Sequence, residues 1–269
     1  MIGAVIAFFA GLLIGSFLNV CIYRLPKDLS IVRPRSYCPA CNVKIAWFDN
    51  IPLVSYTLLG GRCRHCGVRI PFRYPIVEAL TALAFALSVL ALGPTLPALK
   101  VCLFSALMIG LAFSDLEERI LPDEFTLGGT AAGLLLALVV PMDVVFAGLF
   151  LNPLTTGRWL WLAESILGAG VAAGLLWGVG FLYEKVRHKS GLGLGDVKMM
   201  GAIGAFLGVH GAFQTIILAS LVGSVVGLVY IKVSKKDFSS YELPFGTFLG
   251  LTALALAFLR ATMPPLAGE

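Results

Sequence analysis

The sequence predicts an all-α polytopic membrane protein of about eight transmembrane helices, with a small metal-binding loop between the first and the second. Three observations predict it. Hydrophobic residues fill 58% of the 269 positions and charged residues only 13%, with a mean hydropathy of +0.92; a soluble domain carries about twice that share of charge. Apolar runs recur at close to the roughly 20 residues that a helix needs to cross a bilayer. Basic residues gather in alternate loops, the asymmetry that orients membrane helices.

The first run, "MIGAVIAFFAGLLIGSFLNVCIY", has no charged leading region and no small-residue cleavage site before "RLPK". It reads as a retained span near 2–23 rather than a signal peptide. A polar loop follows over 24–74. Further spans are expected near 75–93, 97–114, 124–141, 160–182, 197–211, 213–231 and 244–262, and 263–269 is a tail. The turn that splits the sixth span from the seventh is placed at "VHGAF" (209–213). The expected organisation is span 1–23, loop 24–74, helices 2 to 8 over 75–262 and tail 263–269.

Lys and Arg test this layout. All of the 20 except Lys100, Arg158 and Arg260 lie in or beside loops on one side. The loop 24–74 carries Arg24, Lys27, Arg33, Arg35, Lys44, Arg62, Arg64, Arg69 and Arg73. Basic loops mark the cytoplasm, so both termini fall outside. Fusing 197–231 into one span would send Lys232, Lys235 and Lys236 to the wrong side. The net charge of +5 is then an orientation signal and an attraction to anionic lipid, not a nucleic-acid patch. No internal repeat, low-complexity tract, Walker motif or Rossmann glycine motif is evident.

The loop 24–74 contains "CPAC" (Cys38, Cys41) and "CRHC" (Cys63, Cys66). Paired C-x-x-C knuckles read as a zinc site. Each knuckle puts two thiolates on one tight turn, and four such ligands close a tetrahedral structural centre. The loop is too short to bury a core of its own, so metal binding can supply its folding energy. Two disulfides are the alternative, disfavoured in a reducing cytoplasm. His65, inside the second knuckle, could replace a cysteine but is expected to be a bystander. Cys21 and Cys102 lie in spans and read as small buried hydrophobes.

Acidic residues number only 15, so their positions carry information. "SDLEERILPDEFT" holds Asp115, Glu117, Glu118, Asp123 and Glu124. Asp115 closes the third span and Asp196 opens the sixth, both on the cytoplasmic side. Each alone has a plain reading, Asp196 and Asp123 as helix N-caps and Asp115 as a solvated helix end. As a pair at one membrane depth they point to a functional interior. Two close carboxyls share a proton; one then activates water while the other hydrogen-bonds a scissile carbonyl, which is aspartic-protease chemistry. In "GLGLGD" (191–196) the glycines are expected to keep the chain unwound, so that Gly193 and Gly195 receive an extended substrate peptide without a Cβ clash.

With these residues assembled, the sequence resembles the GxGD intramembrane aspartic proteases at "GLGD" (193–196). It also resembles the bacterial type IV prepilin leader peptidases at "GSFLNVCIYRLP", "NIPLVSY", "GGRCRHC", "RYPIVE" and "LPDEFT". Archaeal preflagellin peptidases resemble the GxGD part but generally lack a four-cysteine loop. The resemblance implies a bacterial inner-membrane enzyme whose catalytic aspartates are Asp115 and Asp196 and whose zinc ligands are Cys38, Cys41, Cys63 and Cys66. It implies prepilin and type II secretion pseudopilin substrates, whose basic leader is cut on the cytoplasmic side. It further implies methylation of the new N-terminal amine with S-adenosyl-L-methionine, for which Asn19, Arg24, Gly61 and Glu78 are the candidates in and beside the cysteine loop. Glu78 could instead pair with Arg73, and Gly61 could serve the knuckle's turn. A proton- or cation-coupled carrier with a zinc-regulated loop is the rival from another class, and a docking scaffold is a third reading.

Overall fold

The computed structural model describes residues 1–151, 157–188, 192–234 and 243–262. Among them the secondary structure is helical, apart from the isolated bridges Tyr37–Lys44 and Arg62–Arg69. The helices are α1 (Ile2–Arg24), α2 (Val54–Leu58), α3 (Arg73–Leu92), α4 (Leu96–Glu118), α5 (Asp123–Ala137), α6 (Ala147–Phe150), α7 (Gly157–Arg187), α8 (Leu194–Ser234) and α9 (Phe245–Thr262). Six of them, α1, α3, α4, α7, α8 and α9, are long and apolar enough to cross a membrane. The chain forms two compact units, Met1–Phe113 and Ser114–Glu269.

In the first unit, α1 lies against α3 because small residues let the backbones approach. A methyl group on Gly15 would stand 2.7 Å from the Glu78 Cα, and one on Gly11 2.6 Å from the Ala82 Cα. Hydroxyls buried along the apolar helices bond back to their own turns, which leaves no polar group unpaired in the packed interior. Thr81 donates to the Val77 carbonyl at 2.8 Å and Ser88 to the Ala84 carbonyl at 2.7 Å.

The second unit is built around α8, which packs on α5, α7 and α9. It is not one straight rod. At Gly208 the backbone leaves the helix with φ 70° and ψ −179°. Before the break, Gly201 faces Ala173, and the backbones of Gly204 and Gly168 touch, so this arm runs antiparallel to α7. After it, Gly211 faces Arg260, Gly223 faces Phe248 and Gly227 faces Leu243, so this arm runs antiparallel to α9. The first arm also begins near the start of α9 and ends near Arg260, at the far end of α9. The chain therefore folds back at Gly208, ahead of the expected turn at 209–213. A single left-handed residue suffices because side chains satisfy what the break exposes. Arg260 donates to the Leu207 carbonyl at 3.0 Å, and the Val209 N–H reaches Glu164 at 3.4 Å.

Element limits differ elsewhere for local reasons. α5 has 15 residues and ends before Leu138, short of the expected 141, as the chain nears Pro141. α6 was not expected; the Glu164 carboxyl draws its first turn in by accepting the N–H groups of Val145, Phe146 and Ala147. The expected tail 263–269 lies outside the described residues.

The contact of Gly204 with Gly168 leaves no room for a side chain. Gly204→Val is expected to lower stability by about 1–3 kcal/mol through overpacking. Gly174→Val on the same α7, where a methyl group meets nothing within 4 Å, should be near neutral. Thermal midpoints of the two variants in detergent check the difference.

Candidate active site and metal centre

Asp115 lies in the last turn of α4 and is 6% exposed. Thr247, at the start of α9, donates both its backbone N–H (2.7 Å) and its hydroxyl (3.0 Å) to Asp115 Oδ2. The chain then turns sharply. Ser114 donates to the Ile120 carbonyl at 2.8 Å, and Arg119 adopts φ 58°. This turn delivers Leu121 and then α5.

Asp196 stands in the first turn of α8, its N–H bonded to the Gly193 carbonyl at 3.1 Å. Leu121 joins the two carboxyl-bearing turns. A methyl group on Gly195 would lie 3.2 Å from Leu121 Cβ, and one on Gly246 would lie 3.1 Å from both Leu121 Cδ1 and Asp115 Cγ. Asp115 and Asp196 thus stand on turns that border the same leucine. Two aspartates far apart in sequence thus meet at the end of the unit where α9 begins.

Three expectations need correction here. The helix starts at Leu194, so Gly195 is helical rather than unwound. Of "GLGLG", Leu192 and Gly193 are the described non-helical residues, and Gly191 lies outside the described residues. Asp196 is inside the first turn and not its N-cap. Asp123 is not a cap either: Pro122 holds that position, and the Asp123 carboxyl accepts from Lys198 Nζ at 2.7 and 2.9 Å. In each case a helix starts earlier than propensity alone suggests, because packing against a neighbour fixes its first turn.

The cysteine loop belongs to the first unit. The sulfurs of Cys38, Cys41, Cys63 and Cys66 all lie within 4.8 Å of one another, with Cys38 and Cys66 3.8 Å apart. A tetrahedral centre with metal–sulfur bonds of about 2.3 Å has sulfur–sulfur edges of about 3.8 Å. The four cysteines fit a metal. His65 is not part of this cluster.

The knuckles also contain a repeat that the sequence reading missed. Asn42 N–H bonds the Cys38 carbonyl as Gly67 N–H bonds the Cys63 carbonyl. Cys38 N–H bonds the Val43 carbonyl as Cys63 N–H bonds the Val68 carbonyl. Asn42 and Gly67 have φ 56° and 70°, and the bridges Tyr37–Lys44 and Arg62–Arg69 close the two turns alike. "YCPACNVK" and "RCRHCGVR" are two copies of one knuckle. The shared features are backbone bonds and one left-handed residue, which few side chains betray.

The backbone N–H groups of Cys66 and His65 pull the Cys63 thiol down, while burial and the neighbouring thiols Cys63, Cys41 and Cys38 push Cys66 up, so the crowded thiols ionise unequally. Arg64 grips Asp49 with Nε at 2.8 Å and a second nitrogen at 2.6 Å, holding that carboxyl below its usual range and tying the second knuckle to residues 47–50.

The remaining candidates sit in the same unit. Asn19 is 2% exposed; its Nδ2 donates to the Tyr74 carbonyl at 3.0 Å, and its buried Oδ1 has no hydrogen-bond partner among the described residues. Glu78 is buried and accepts from the Leu53 N–H at 2.8 Å, with Ser16 also bonding it. Arg24 is buried and donates to the Ser30 carbonyl at 2.9 Å. Gly61, at φ 66°, packs its backbone against Tyr56, where a methyl group would stand 2.9 Å from the hydroxyl. Asn19 and Glu78 share the α1–α3 contact, whereas Gly61 serves the turn into the second knuckle.

Two family models match the chain. Residues 9–92 match the bacterial peptidase A24 N-terminal domain, and residues 102–231 match the type IV leader peptidase family. A prepilin leader peptidase/N-methyltransferase of Aeromonas salmonicida is 33% identical over 91% of this chain and 87% of its own length. The chain belongs to the type IV leader peptidase family. A type 4 prepilin-like proteins leader peptide-processing enzyme of Escherichia coli is 35% identical over 96% of this chain and 94% of its own. A prepilin leader peptidase/N-methyltransferase of Myxococcus xanthus is 38% identical over 85% of this chain, which spans 63% of that relative. No solved structure matches. Nothing in these likenesses supports the carrier reading.

The leader peptidase match over 102–231 contains both aspartates, Leu121 and Lys198. Thr247 lies beyond it and was not foreseen; a threonine in an apolar span carries no signal of its own. Glu164 did carry one, as a lone acid within the run 159–182, where a charge at membrane depth asks for a reason.

Elemental analysis of purified protein is expected to find one metal ion per chain. Replacing Cys38 and Cys63 together by serine should remove it. Metal-free wild-type protein whose knuckle thiols all react freely would overturn the centre.

Proposed function

We propose that this protein is a membrane aspartic endopeptidase that removes the basic leader from type IV prepilins and type II secretion pseudopilins. The meeting of Asp115 and Asp196 beside Leu121 is the observation that carries this reading. Acid–base hydrolysis by two carboxyls needs one of them ionised, to take a proton from water. It needs the other protonated, to donate to the scissile carbonyl and stabilise the tetrahedral intermediate. Thr247 holds Asp115 from α9 with two hydrogen bonds, and Asp196 stands across from it on the opening turn of α8. Gly193 is exposed, and a methyl group there would stand 3.5 Å from Asp196 Oδ2. Its bareness keeps an approach to that carboxyl open, while Gly195 makes room for Leu121.

Eight crossings follow if α5 and each arm of α8 are counted beside α1, α3, α4, α7 and α9, with both termini outside. Basic loops then face the cytoplasm, so the aspartates act at the cytoplasmic border of a bacterial inner membrane. A prepilin's apolar helix can lie in the bilayer with its leader outside it. The metal at Cys38, Cys41, Cys63 and Cys66 is zinc, given four thiolates in tetrahedral array. It is structural, since four protein ligands leave no open position.

The second activity is N-methylation of the new N-terminal amine, a pairing carried in the names of the relatives. S-adenosyl-L-methionine supplies the methyl group. Asn19 Oδ1, a buried acceptor, and the Glu78 carboxyl suit a cationic, amine-bearing ligand; Arg24 suits its carboxylate, and Gly61 shapes the adjoining turn.

Asp115→Asn and Asp196→Asn are each expected to lose on the order of 10³-fold or more in cleavage, because groups that act as a unit fail together. Cleavage of a prepilin in liposomes by wild type and variants, with membrane insertion checked in parallel, tests it. Near-normal turnover in either variant would sink the assignment.

A further inference from the structure

The turn that carries Asp196 is tied down by an ion pair that hydrolysis itself does not use. Lys198 Nζ stands 2.7 Å from Asp123 Oδ1 and 2.9 Å from Oδ2, so both carboxylate oxygens are engaged. Lys198 lies two residues after Asp196, which on a helix sends the two side chains to different faces. Asp123 lies two residues after Leu121, at the first position of α5. The start of α8 therefore meets the Leu121–Asp123 stretch twice. Gly195 takes Leu121 on one contact, and Lys198 takes Asp123 on the other, with Asp196 between them in sequence.

We propose that the Lys198–Asp123 pair is a positioning clamp, which sets the rotation and depth of the Asp196 turn against Asp115. It rests on the reading of these aspartates as the catalytic pair. A role in overall stability does not account for it, since the side chains are 37% and 55% exposed and such pairs contribute little. A leucine contact alone permits sliding and rotation, whereas a two-oxygen grip on an ammonium, added to it, fixes both. Catalysis is sensitive to such placement, because an error of about 1 Å can cost on the order of 10²-fold. Asp123 at the first turn of α5 also suits that helix's N-terminal dipole, so the carboxylate is held from two sides.

The test uses the full-length protein in liposomes with one synthetic prepilin. Lys198→Met and Asp123→Asn should each lower kcat by about two- to five-fold, with KM nearly unchanged, the most by which an exposed ion pair can shift the seating of the turn. Lys198→Arg, and the reversed pair Lys198→Asp with Asp123→Lys, should recover most of the loss. Unchanged kcat in the single variants, or a reversed pair as poor as the singles, overturns the clamp. A raised KM at full kcat also overturns it, since Lys198 would then be a substrate-binding group. A second measurement stands apart from activity. Leu121→Cys with Gly195→Cys places two thiols at disulfide distance, and the oxidative cross-link is read by mass spectrometry of the joined peptides. Adding Lys198→Met should slow cross-linking several-fold. An unchanged rate refutes the clamp even if no prepilin is cleaved, an outcome that would refute the peptidase reading instead.

Discussion

A chain that breaks its helix among packed side chains must find partners for the freed N–H and C=O groups within the protein. At Gly208 this requirement is met by two side chains from different helices. Glu164 of α7, 1% exposed, accepts the Val209 N–H and those of Val145 to Ala147; Arg260 of α9 serves the Leu207 carbonyl and bonds Gln214 at 2.9 Å. The fold-back of α8 depends on them. Without it the arm bearing Asp196 could not run antiparallel to α7 while the second arm runs antiparallel to α9. A buried carboxyl is costly unless fully bonded, and here Glu164 accepts four backbone N–H groups from two parts of the chain.

The end of the unit that holds Asp115 and Asp196 is organised differently. Small residues bring backbones close, and one leucine fills the gap that Gly195 and Gly246 leave. Asp115 and Asp196 come from separate helices and are supported unequally. Thr247 gives Asp115 two hydrogen bonds from α9, while Asp196 depends on how its own turn is seated. The proposed proton-sharing pair thus has one carboxyl fixed by direct hydrogen bonds and the other fixed through the seating of its turn.

The first unit solves another problem. A loop without enough apolar residues for a core is organised by two copies of one knuckle, each built on the same pair of backbone hydrogen bonds and one left-handed residue. Duplicated turns converge four sulfurs on one point, and the Arg64–Asp49 bond ties the result to residues 47–50. Gly61 sits in the turn that leads into the second copy, so its constraint is local geometry first.

Hydropathy and spacing by themselves determined the membrane class, the position of nearly every long helix and the four clustered cysteines, and they singled out Asp115 and Asp196 as a candidate pair. These are properties of composition and of short motifs, which a chain displays without folding. Other features required the tertiary structure. Leu121 and Thr247 matter because of what packs on them, from residues far along the chain. Asp123 resembles a cap in the sequence, but Pro122 holds that position and Asp123 pairs with Lys198; the turn of α8 falls at Gly208 rather than within 209–213, where Glu164 and Arg260 bond the backbone on either side. A left-handed glycine, a repeated backbone pattern and a buried carboxyl with four donors are all long-range or main-chain facts. Residue type records them weakly, since many side chains are compatible with each, and only the packed chain selects among them.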